Sequence, residues 1–393
     1  GIEVEFYNAG HVIGSAMVAV DGGRVLYTGD FNPYGTITAG RAEPQRCETL
    51  VIEATYGKPE QVLPARQRVL RDLQGWMLAV AANGGGIVGA YTLGKAQEVV
   101  AAANAAGLRH TYPEIINRPA LKKQAVAAFK DAYAEGVRTM IEVSTFDLGR
   151  DIELIQEVSR ESGIQVIAAT GNHLAVPRPF GEVSPDVIAA MYVREIEEGI
   201  EGTGIKAGII KVASDEGGVT PAQEIVLRAA GQASVRTGVP ISTHTWSPDR
   251  VGDEQVRILM DEGVDMDRVY IGHSNDSTDI GYLTGLLEKG VWIGLDRYPG
   301  GRAPNTPNWE QRTEVVKKLI DAGHCGRIML SHDYSVPKAR RDPEMQEQRR
   351  LANPDGYNFI TRKVLPRLLE LGASEDNIRQ MMEENPRRFF EGN

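Results

Sequence analysis

From about residue 137 onward, the chain alternates short β-branched runs with longer helical patterns, and this alternation constrains the fold more than any other feature. The β-branched runs are VRTMIEVS, IQVIAAT, KAGIIKVA, VPISTH, RVYIGHS, VWIGLD and RIMLSHD. Strand–helix repeats of this length predict parallel strands joined by crossover helices, an α/β fold. We expect closure into a (β/α)8-type (TIM) barrel rather than a doubly wound open sheet, with one strand of the usual eight lacking.

The first part of the chain, residues 1–107, follows a different pattern. The stretches IEVEFYNAG, SAMVAVDGGRVLYTGDF and ETLVIEATYG predict strands joined by Gly or Asp-Gly turns, and a helix, a strand and a second helix are predicted after them. This is an α+β pattern. Two prolines and a change of pattern between Ala106 and Pro119 predict a junction, with domains at residues 1–107 and 108–393. Because Gly1 falls within a predicted strand, we also expect residues upstream.

The composition narrows the classes of partner. The formal net charge of −10 gives no overall electrostatic case for nucleic acid, so we expect a small-molecule partner. Two cysteines, Cys47 and Cys325, are too few for a disulfide framework and indicate a reducing cytoplasm. No apolar run approaches the ~18 residues that a membrane span needs, so no membrane association is expected.

Potential metal ligands stand in or at the carboxyl ends of four predicted strands. Lys211 lies inside the apolar run AGIIKVA, where a buried ammonium is costly unless it is neutralised or converted. His244, His273 and Asp333 end three later strands. Taken singly, each has an ordinary structural explanation, such as an ion-paired lysine, a core histidine or a turn aspartate. Taken together, they predict a divalent metal site, with zinc as the first candidate, because imidazole and carboxylate suit that ion.

The barrel part resembles the phosphotriesterase family of the amidohydrolase superfamily. The matching runs include VSTFDLGRDIELIQEVSR, AATG, GIKAGIIKVA, GVPISTHT, VYIGHS, IGLDRY, IMLSHDYS and ENPRRFF. The resemblance implies that Lys211 carries a carbamate that bridges two metals, and that His244 and His273 hold the more exposed ion. It implies that Asp333 holds the other ion and helps to shuttle the proton.

The run IGLDRYPGG is similar to the lactonase-like branch of that family more than to the organophosphate-degrading enzymes. The resemblance implies that Asp276, Arg297 and Asp333 form a polar relay beneath the metals, and that Tyr298 contacts the substrate. A surface-facing ion pair is the alternative for this relay. The implied reaction is metal-hydroxide attack on a small-molecule ester, lactone or phosphotriester, with Asp333 taking the proton, in a protein that tends to form homodimers.

One family motif is missing. The family's first strand carries a His-x-His pair that completes the buried metal site, but this chain reads QEVVAAA near residues 97–103 and has no His-x-His at any position. The resemblance therefore implies a site of one ion, held by Lys211, His244 and His273, and impaired activity. GIVGAY or a neighbouring apolar run is a candidate for the missing strand.

The first part of the chain resembles an internal fragment of a β-CASP metallo-β-lactamase-fold nuclease, in the runs NAGHVIGSAMV, VLYTGDFN, LVIEATYG and GAYTLGKAQEV. The resemblance implies that His11 and Asp30 are metal ligands of a second site and that Glu53 and Thr55 belong to an acidic motif. Without the family's HxHxDH motif, two ligands do not make a two-metal site. The chain is thus predicted to be a fusion, and a β-CASP-type nuclease or RNA-processing exonuclease fragment, or an inactive fusion, are the alternative functions.

Overall fold

The computed structural model describes residues 2–9, 11, 15–32, 42–43, 45–52, 117–300, 306–336 and 343–392. The chain divides into two compact units, Gly1–Arg118 and Pro119–Asn393. Several predictions fall outside the described residues: the two helices and the strand GIVGAY, the segment 97–103, and the pair Glu53 and Thr55.

The first unit contains a four-stranded sheet, which confirms the strands predicted there. Its strands are β1 (Val4–Asn8), β2 (Ala16–Val20), β3 (Val25–Tyr27) and β4 (Thr49–Val51), in that order across the sheet. The pairs β1–β2 and β2–β3 are antiparallel, and β3–β4 is parallel. The Asp-Gly-Gly turn between β2 and β3 has positive φ at all three residues, a conformation that glycine adopts without strain.

The second unit contains a curled, seven-stranded parallel sheet, and this confirms the α/β prediction. Its strands follow chain order across the sheet, with parallel pairing between all neighbours. They are β5 (Thr139–Glu142), β6 (Gln165–Gly171), β7 (Ile209–Ala213), β8 (Ile241–His244), β9 (Val269–Ile271), β10 (Trp292–Leu295) and β11 (Ile328–Leu330). Each coincides with one of the seven predicted runs.

Helices connect these strands and follow them. They are α1 (Arg118–Ala134), α2 (Ile152–Ser162), α3 (Pro185–Glu197), α4 (Pro221–Thr237), α5 (Val251–Asp261), α6 (Ile280–Glu288), α7 (Trp309–Asp321), α8 (Pro343–Ala352), α9 (Leu365–Glu370), α10 (Glu375–Arg379) and α11 (Asn385–Glu391), with π-helical turns at Ile360–Val364 and Gln380–Glu384. Within the described residues, none of the helices has the length and hydrophobicity that a membrane crossing requires.

Sequence explains several helix boundaries. The α4 helix begins with a capping box, in which the Thr220 hydroxyl accepts from the Gln223 backbone N–H and the Gln223 side chain accepts from the Thr220 backbone. Asn308 and Gln311 form the same arrangement at α7. Caps of this kind satisfy backbone donors that the first helical turn leaves free.

Strand alternation sorts the side chains of β7 between two environments. Ile210 and Val212 pack in the large cluster between sheet and helices, whereas Ile209 packs with Trp292 and Phe389 on the concave side of the sheet. Because successive strand residues point to opposite faces, Lys211 shares the concave side with Ile209. The alternation therefore directs the lysine toward the inside of the curled sheet.

Candidate active site

The predicted ligands are in or just beyond the carboxyl ends of four strands of the parallel sheet. Lys211 is the third residue of β7, and His244 is the last residue of β8. His273 follows β9 by two residues, and Asp333 follows β11 by three. Lys211 and both histidines are buried. Carboxyl ends of parallel strands share one edge of the sheet, so the fold places these side chains at that edge.

The two imidazoles face each other. His244 Nδ1 and His273 Nε2 are 3.0 Å apart, and the ring planes are nearly perpendicular, at 85°. The second nitrogen of His244, Nε2, is buried without a hydrogen-bond partner and lies 3.6 Å from Asp215 Oδ2. Burial, together with the charges of His273 and Lys211, lowers the pKa of His244 far below its usual value. His244 is therefore a neutral imidazole with lone-pair capacity for a ligand.

Asp296 fixes the orientation of His273. Its Oδ1 accepts from the His273 backbone N–H at 2.7 Å and lies 2.9 Å from His273 Nδ1, while Tyr270 donates its hydroxyl to Oδ2 at 2.9 Å. Burial alone would raise the pKa of Asp296, but His273 and Lys211 outweigh it and lower the pKa to about 2. A carboxylate beside Nδ1 favours the proton there, which leaves Nε2 free to face His244.

Asp296 was not among the predicted site residues. The signal was present, because it is an acidic residue at the end of the run VWIGLD.

The amine of Lys211 is easier to deprotonate than an ordinary lysine. Burial lowers the pKa of Lys211 to about 8, although the charges of Asp296 and Asp333 oppose this shift. At neutral pH a larger fraction of the amine is therefore uncharged than in a solvated lysine, whose pKa is about 10.4. An uncharged amine is the form that reacts with carbon dioxide.

The predicted relay residues are in contact. Arg297 Nη1 donates to Asp276 Oδ2 at 2.6 Å, and Arg297 Nε lies 3.5 Å from Asp333 Oδ2. Asp276 is only 4% exposed, which does not fit a surface-facing ion pair. Arg312, on α7, donates to the other oxygen of Asp276 at 2.7 Å and to the Asn275 carbonyl at 2.6 Å. Arg312 was missed, because nothing in the spacing along the chain connects it to Asp276.

Asp333 differs from its neighbours in exposure. Its side chain is about one third exposed, and its backbone φ is +45°, in the region that L-residues rarely adopt. His273 also has a positive φ, +60°. Such conformations concentrate at functional sites, where the surrounding structure holds them in place.

Tyr298 does not lie with these residues. Its side chain is fully buried in the cluster between sheet and helices, its ring stacks on Phe359, and its hydroxyl lies 3.4 Å from Thr313 Oγ1. In this conformation, Tyr298 packs behind the sheet and offers no surface to a substrate. The predicted substrate contact would require a different conformation of the segment after β10.

The structure adds His173, which the motifs did not indicate. Its ring lies edge-on to His244, with centroids 5.0 Å apart, and its backbone N–H donates to both oxygens of Asp147 at 3.1 and 3.2 Å. Burial and the charge of Lys211 lower its pKa to about 4. The only sequence signal was a histidine shortly after a strand end, which alone is weak.

In the first unit, the predicted pair His11 and Asp30 is brought together. His11 Nε2 and Asp30 Oδ2 are 3.9 Å apart, and the Asp30 side chain is 71% exposed. An exposed pair at this distance has little interaction energy. Metal binding by this pair stays a prediction.

The residues at the strand ends can be compared with the needs of a metal ion. Within the described part of the chain, no three His, Cys, Asp or Glu side chains are arranged to hold an ion together, so a site here depends on the lysine. Two nitrogens bound to one tetrahedral zinc ion are about 3.3 Å apart. The 3.0 Å between His244 Nδ1 and His273 Nε2 is close to this value. A carbamate on Lys211 would supply the anionic oxygen, and so this set fits one ion.

Fold and site together define an α/β protein with a candidate active site at the carboxyl ends of a parallel sheet. The sequence profile of the Phosphotriesterase family matches residues 108–390. The chain belongs to the phosphotriesterase family, as the sequence motifs predicted.

Three curated relatives each cover between 65% and 72% of the chain. A "Phosphotriesterase homology protein" of Mycobacterium tuberculosis is 39% identical over 277 residues, which are 68% of this chain and 83% of the relative. An "Aryldialkylphosphatase" of Saccharolobus solfataricus is 37% identical over 287 residues, 72% of this chain and 90% of the relative. An "N-acetyltaurine hydrolase" of Danio rerio is 25% identical over 267 residues, 65% of this chain and 73% of the relative. The relatives of this chain therefore include hydrolases of different names.

Proposed function

We propose that the second unit is a metal-dependent hydrolase of lactones or phosphotriesters. The observation that carries the proposal is the pair of facing imidazole nitrogens, His244 Nδ1 and His273 Nε2, 3.0 Å apart at the strand ends. Two imidazoles that converge in a buried position, one of them oriented by a carboxylate, are a common arrangement for binding a metal.

His244, His273 and a carbamate on Lys211 would hold the ion, with zinc as the first candidate. Forming the carbamate requires the neutral amine, which attacks carbon dioxide; a C–N bond forms and the nitrogen loses a proton to water. The product replaces a buried cation by an anion next to two imidazoles, which favours cation binding. When bound, such an ion polarises the oxygen of an ester or phosphoryl group and acidifies water.

The remaining residues would accept the proton of the attacking water and position the group that accepts it. Asp333 is the one carboxylate of the set with a substantially exposed side chain, and it is the proposed acceptor of the proton from the attacking water. Arg297 holds Asp333 from one side and Asp276 from the other. Arg312 on α7 also binds Asp276, so this carboxylate and its partner Arg297 have fixed positions. Through Arg297, these contacts would keep the carboxylate of Asp333 near the reacting position.

The lack of a His-x-His motif limits the number of metal ions that this site is expected to bind, and with it the expected activity. A typical catalytic zinc has three protein ligands. Lys211, His244 and His273 provide three for one ion, but a second ion would have only the carbamate and Asp333. We therefore propose one firmly bound ion and activity below that of family members with a complete pair of sites.

The substrate assignment rests on the family and its named relatives. The name of the Saccharolobus relative indicates a phosphotriester substrate, and the name of the Danio relative an amide. All such substrates present a polar P=O or C=O group to a nucleophile. Lactones are proposed for this chain because the run IGLDRYPGG resembles the lactonase-like branch of the family.

Three further elements belong to the proposal. The domain boundary is placed near residue 107, with a metallo-β-lactamase-like fragment before it. The protein is proposed to act in the cytoplasm, and to form homodimers as family members tend to. None of these elements affects the chemistry of the strand-end site.

Metal content and turnover, measured on the same preparations, test the proposal. We expect about one ion per chain after loading with zinc and bicarbonate, and hydrolysis of a γ-lactone or of paraoxon. Lys211→Ala should lose both. Lys206→Ala is the matched control, because this lysine is exposed and lies just before β7.

The outcomes test the metal-ligand assignment and the substrate class separately. Unchanged metal content in Lys211→Ala would refute the ligand assignment, whatever the activity. If the wild-type protein binds the metal but turns over neither substrate, the metal site would be supported and the proposed substrate class would be refuted. With ¹³C-bicarbonate, a carbamate carbon signal should appear in the wild-type protein and in Lys206→Ala, but not in Lys211→Ala.

A further inference from the structure

The turn that follows β7 places a carboxylate beside one of the two facing histidines. Asp215 and Gly218 close this turn, with the Gly218 N–H donating to the Asp215 carbonyl at 3.1 Å. Gly217 and Gly218 both have positive φ, a conformation that glycine adopts without strain. Just before the turn, the Ser214 N–H donates to the His244 carbonyl at 3.0 Å, so the backbone places Asp215 next to the end of β8.

Contacts with the start of α5 hold this turn in place. Glu254, on α5, accepts a hydrogen bond from the Val219 N–H at 3.0 Å, and Asp249, just before α5, accepts one from the Gly217 N–H at 3.4 Å. These contacts involve the backbone of the turn on both sides of Gly218. The position of Asp215 relative to β8 therefore does not depend on its own side chain.

The Asp215 carboxylate faces the second nitrogen of His244. Its Oδ2 lies 3.6 Å from His244 Nε2, and within the described part of the chain no hydrogen bond or second ion pair engages this carboxylate. Nε2 is buried and has no hydrogen-bond partner among the described residues. The gap of 3.6 Å is longer than an N–H···O hydrogen bond, which spans about 2.7–3.2 Å.

The proton between the two imidazoles explains this gap. Asp296 favours a proton on His273 Nδ1, so His273 Nε2 presents a lone pair to His244. At 3.0 Å the facing nitrogen, His244 Nδ1, has to donate a proton to that lone pair. Nε2 of His244 is then an acceptor facing a carboxylate, and two acceptors repel each other.

Metal binding at Nδ1 requires the other tautomer of His244. A nitrogen that binds an ion uses its lone pair, so a neutral His244 then carries its proton on Nε2, with no change in the net charge of the ring. We propose that Asp215 is a positioning residue, which accepts a hydrogen bond from His244 Nε2 and fixes the tautomer whose Nδ1 binds the ion. Asp296 has the corresponding role for His273.

The inference rests on the proposed metal site and adds a residue to it. The Asp215 side chain is 42% exposed, which gives the carboxylate room to rotate and close the gap to Nε2. His244 would then have a carboxylate behind it, as His273 already has. Such carboxylates orient the ring of a ligating histidine and raise its basicity.

Zinc affinity of the full chain in bicarbonate buffer, measured by chelator competition, tests this role. Asp215→Ala should bind zinc about 10- to 100-fold more weakly, the usual effect of removing a carboxylate behind a ligating histidine. Asp215→Asn keeps a carbonyl acceptor, and its affinity should lie between those of Asp215→Ala and the wild type. Glu216→Ala is the matched control. It removes the same charge from the next, exposed residue of the turn, and should stay within about twofold of the wild type.

Nitrogen-15 NMR of the imidazoles distinguishes positioning from a loss of structure. His244 should carry its proton on Nδ1 in the zinc-free protein and on Nε2 in the zinc-loaded protein. The Nε2–H of zinc-loaded Asp215→Ala should exchange with water faster than that of the wild type or of Glu216→Ala. Thermal unfolding of zinc-free Asp215→Ala should match the wild type, since this carboxylate accepts no hydrogen bond in that state.

The outcomes distinguish this inference from the proposed function. If the wild type binds zinc, then wild-type affinity in Asp215→Ala, an equal loss in Glu216→Ala, or unchanged exchange of the Nε2–H in Asp215→Ala would overturn the role of Asp215 alone. If the wild type binds no zinc, the proposed function and this inference are both refuted.

Discussion

Replacing Lys211 by methionine should stabilise the metal-free protein at neutral pH. The methionine side chain is unbranched, one atom shorter than that of lysine, and uncharged. Burial lowers the pKa of Lys211 to about 8, against an ordinary value of 10.5. Since a pKa difference of one unit corresponds to 1.36 kcal/mol, burial of this ammonium costs about 3 kcal/mol of folding free energy.

The pH dependence of this gain has a definite sign. Between pH 8 and 10.5 the unfolded chain binds more protons than the folded one, so the stability of the wild type rises with pH in this window. Below pH 8 the lysine is charged in both states, and the full cost is present. The advantage of Lys211→Met should therefore be largest below pH 8 and disappear as the pH approaches 10.5.

Urea unfolding at several pH values measures the effect. The protein is treated with chelator and kept in buffer free of carbon dioxide, and tryptophan fluorescence follows unfolding, since three of the four tryptophans, Trp246, Trp292 and Trp309, belong to the second unit. Lys206→Met serves as the control for an exposed lysine and should change stability by less than about 0.5 kcal/mol at every pH. A variant at Lys211 that is no more stable than wild type at pH 7, or whose gain does not shrink toward pH 10.5, would refute the reasoning.

Three other changes have definite expected outcomes. Asp296→Asn removes the carboxylate that orients His273, so zinc affinity, measured by chelator competition, should fall about 10- to 100-fold; unchanged affinity would contradict this role. Arg312→Ala leaves Asp276 with only one of its two guanidinium partners, and urea unfolding should show a loss of about 2–4 kcal/mol, because a buried charge is left partly unpaired. Tyr298→Phe should leave the KM for lactones unchanged and alter stability by less than about 1 kcal/mol, since its hydroxyl makes one long contact inside the packed layer; a raised KM would instead indicate direct substrate contact.

The strands were predictable because their signal is local. Each of the seven parallel strands is a short β-branched run with a helical pattern beside it, and strand length and alternation do not depend on distant residues. The same holds for β1, β2 and β3, where alternation and the Asp-Gly-Gly turn specify a hairpin. The parallel pairing of β3 with β4 was not predictable, because pairing direction depends on the path of the intervening chain.

The site was predictable only where a residue's position at the end of a strand indicates that it lies near the ends of the neighbouring strands. Lys211, His244 and His273 were found because strand ends in a parallel sheet converge. Arg312 was missed because a helix residue reaches a buried carboxylate through tertiary packing, which leaves no trace in the spacing. The substrate role of Tyr298 was predicted from the resemblance of the run IGLDRYPGG, and such a motif does not indicate that the side chain packs in the buried cluster between sheet and helices.

Anomalous diffraction at the zinc absorption edge, on crystals grown with zinc and bicarbonate, tests the central claim most directly. The account predicts a peak about 2.0–2.1 Å from both His244 Nδ1 and His273 Nε2, with an oxygen of a modified Lys211 at a similar distance. A zinc peak elsewhere, such as beside His11 and Asp30, or an unmodified Lys211 directed away from both rings with no peak between them, would contradict it.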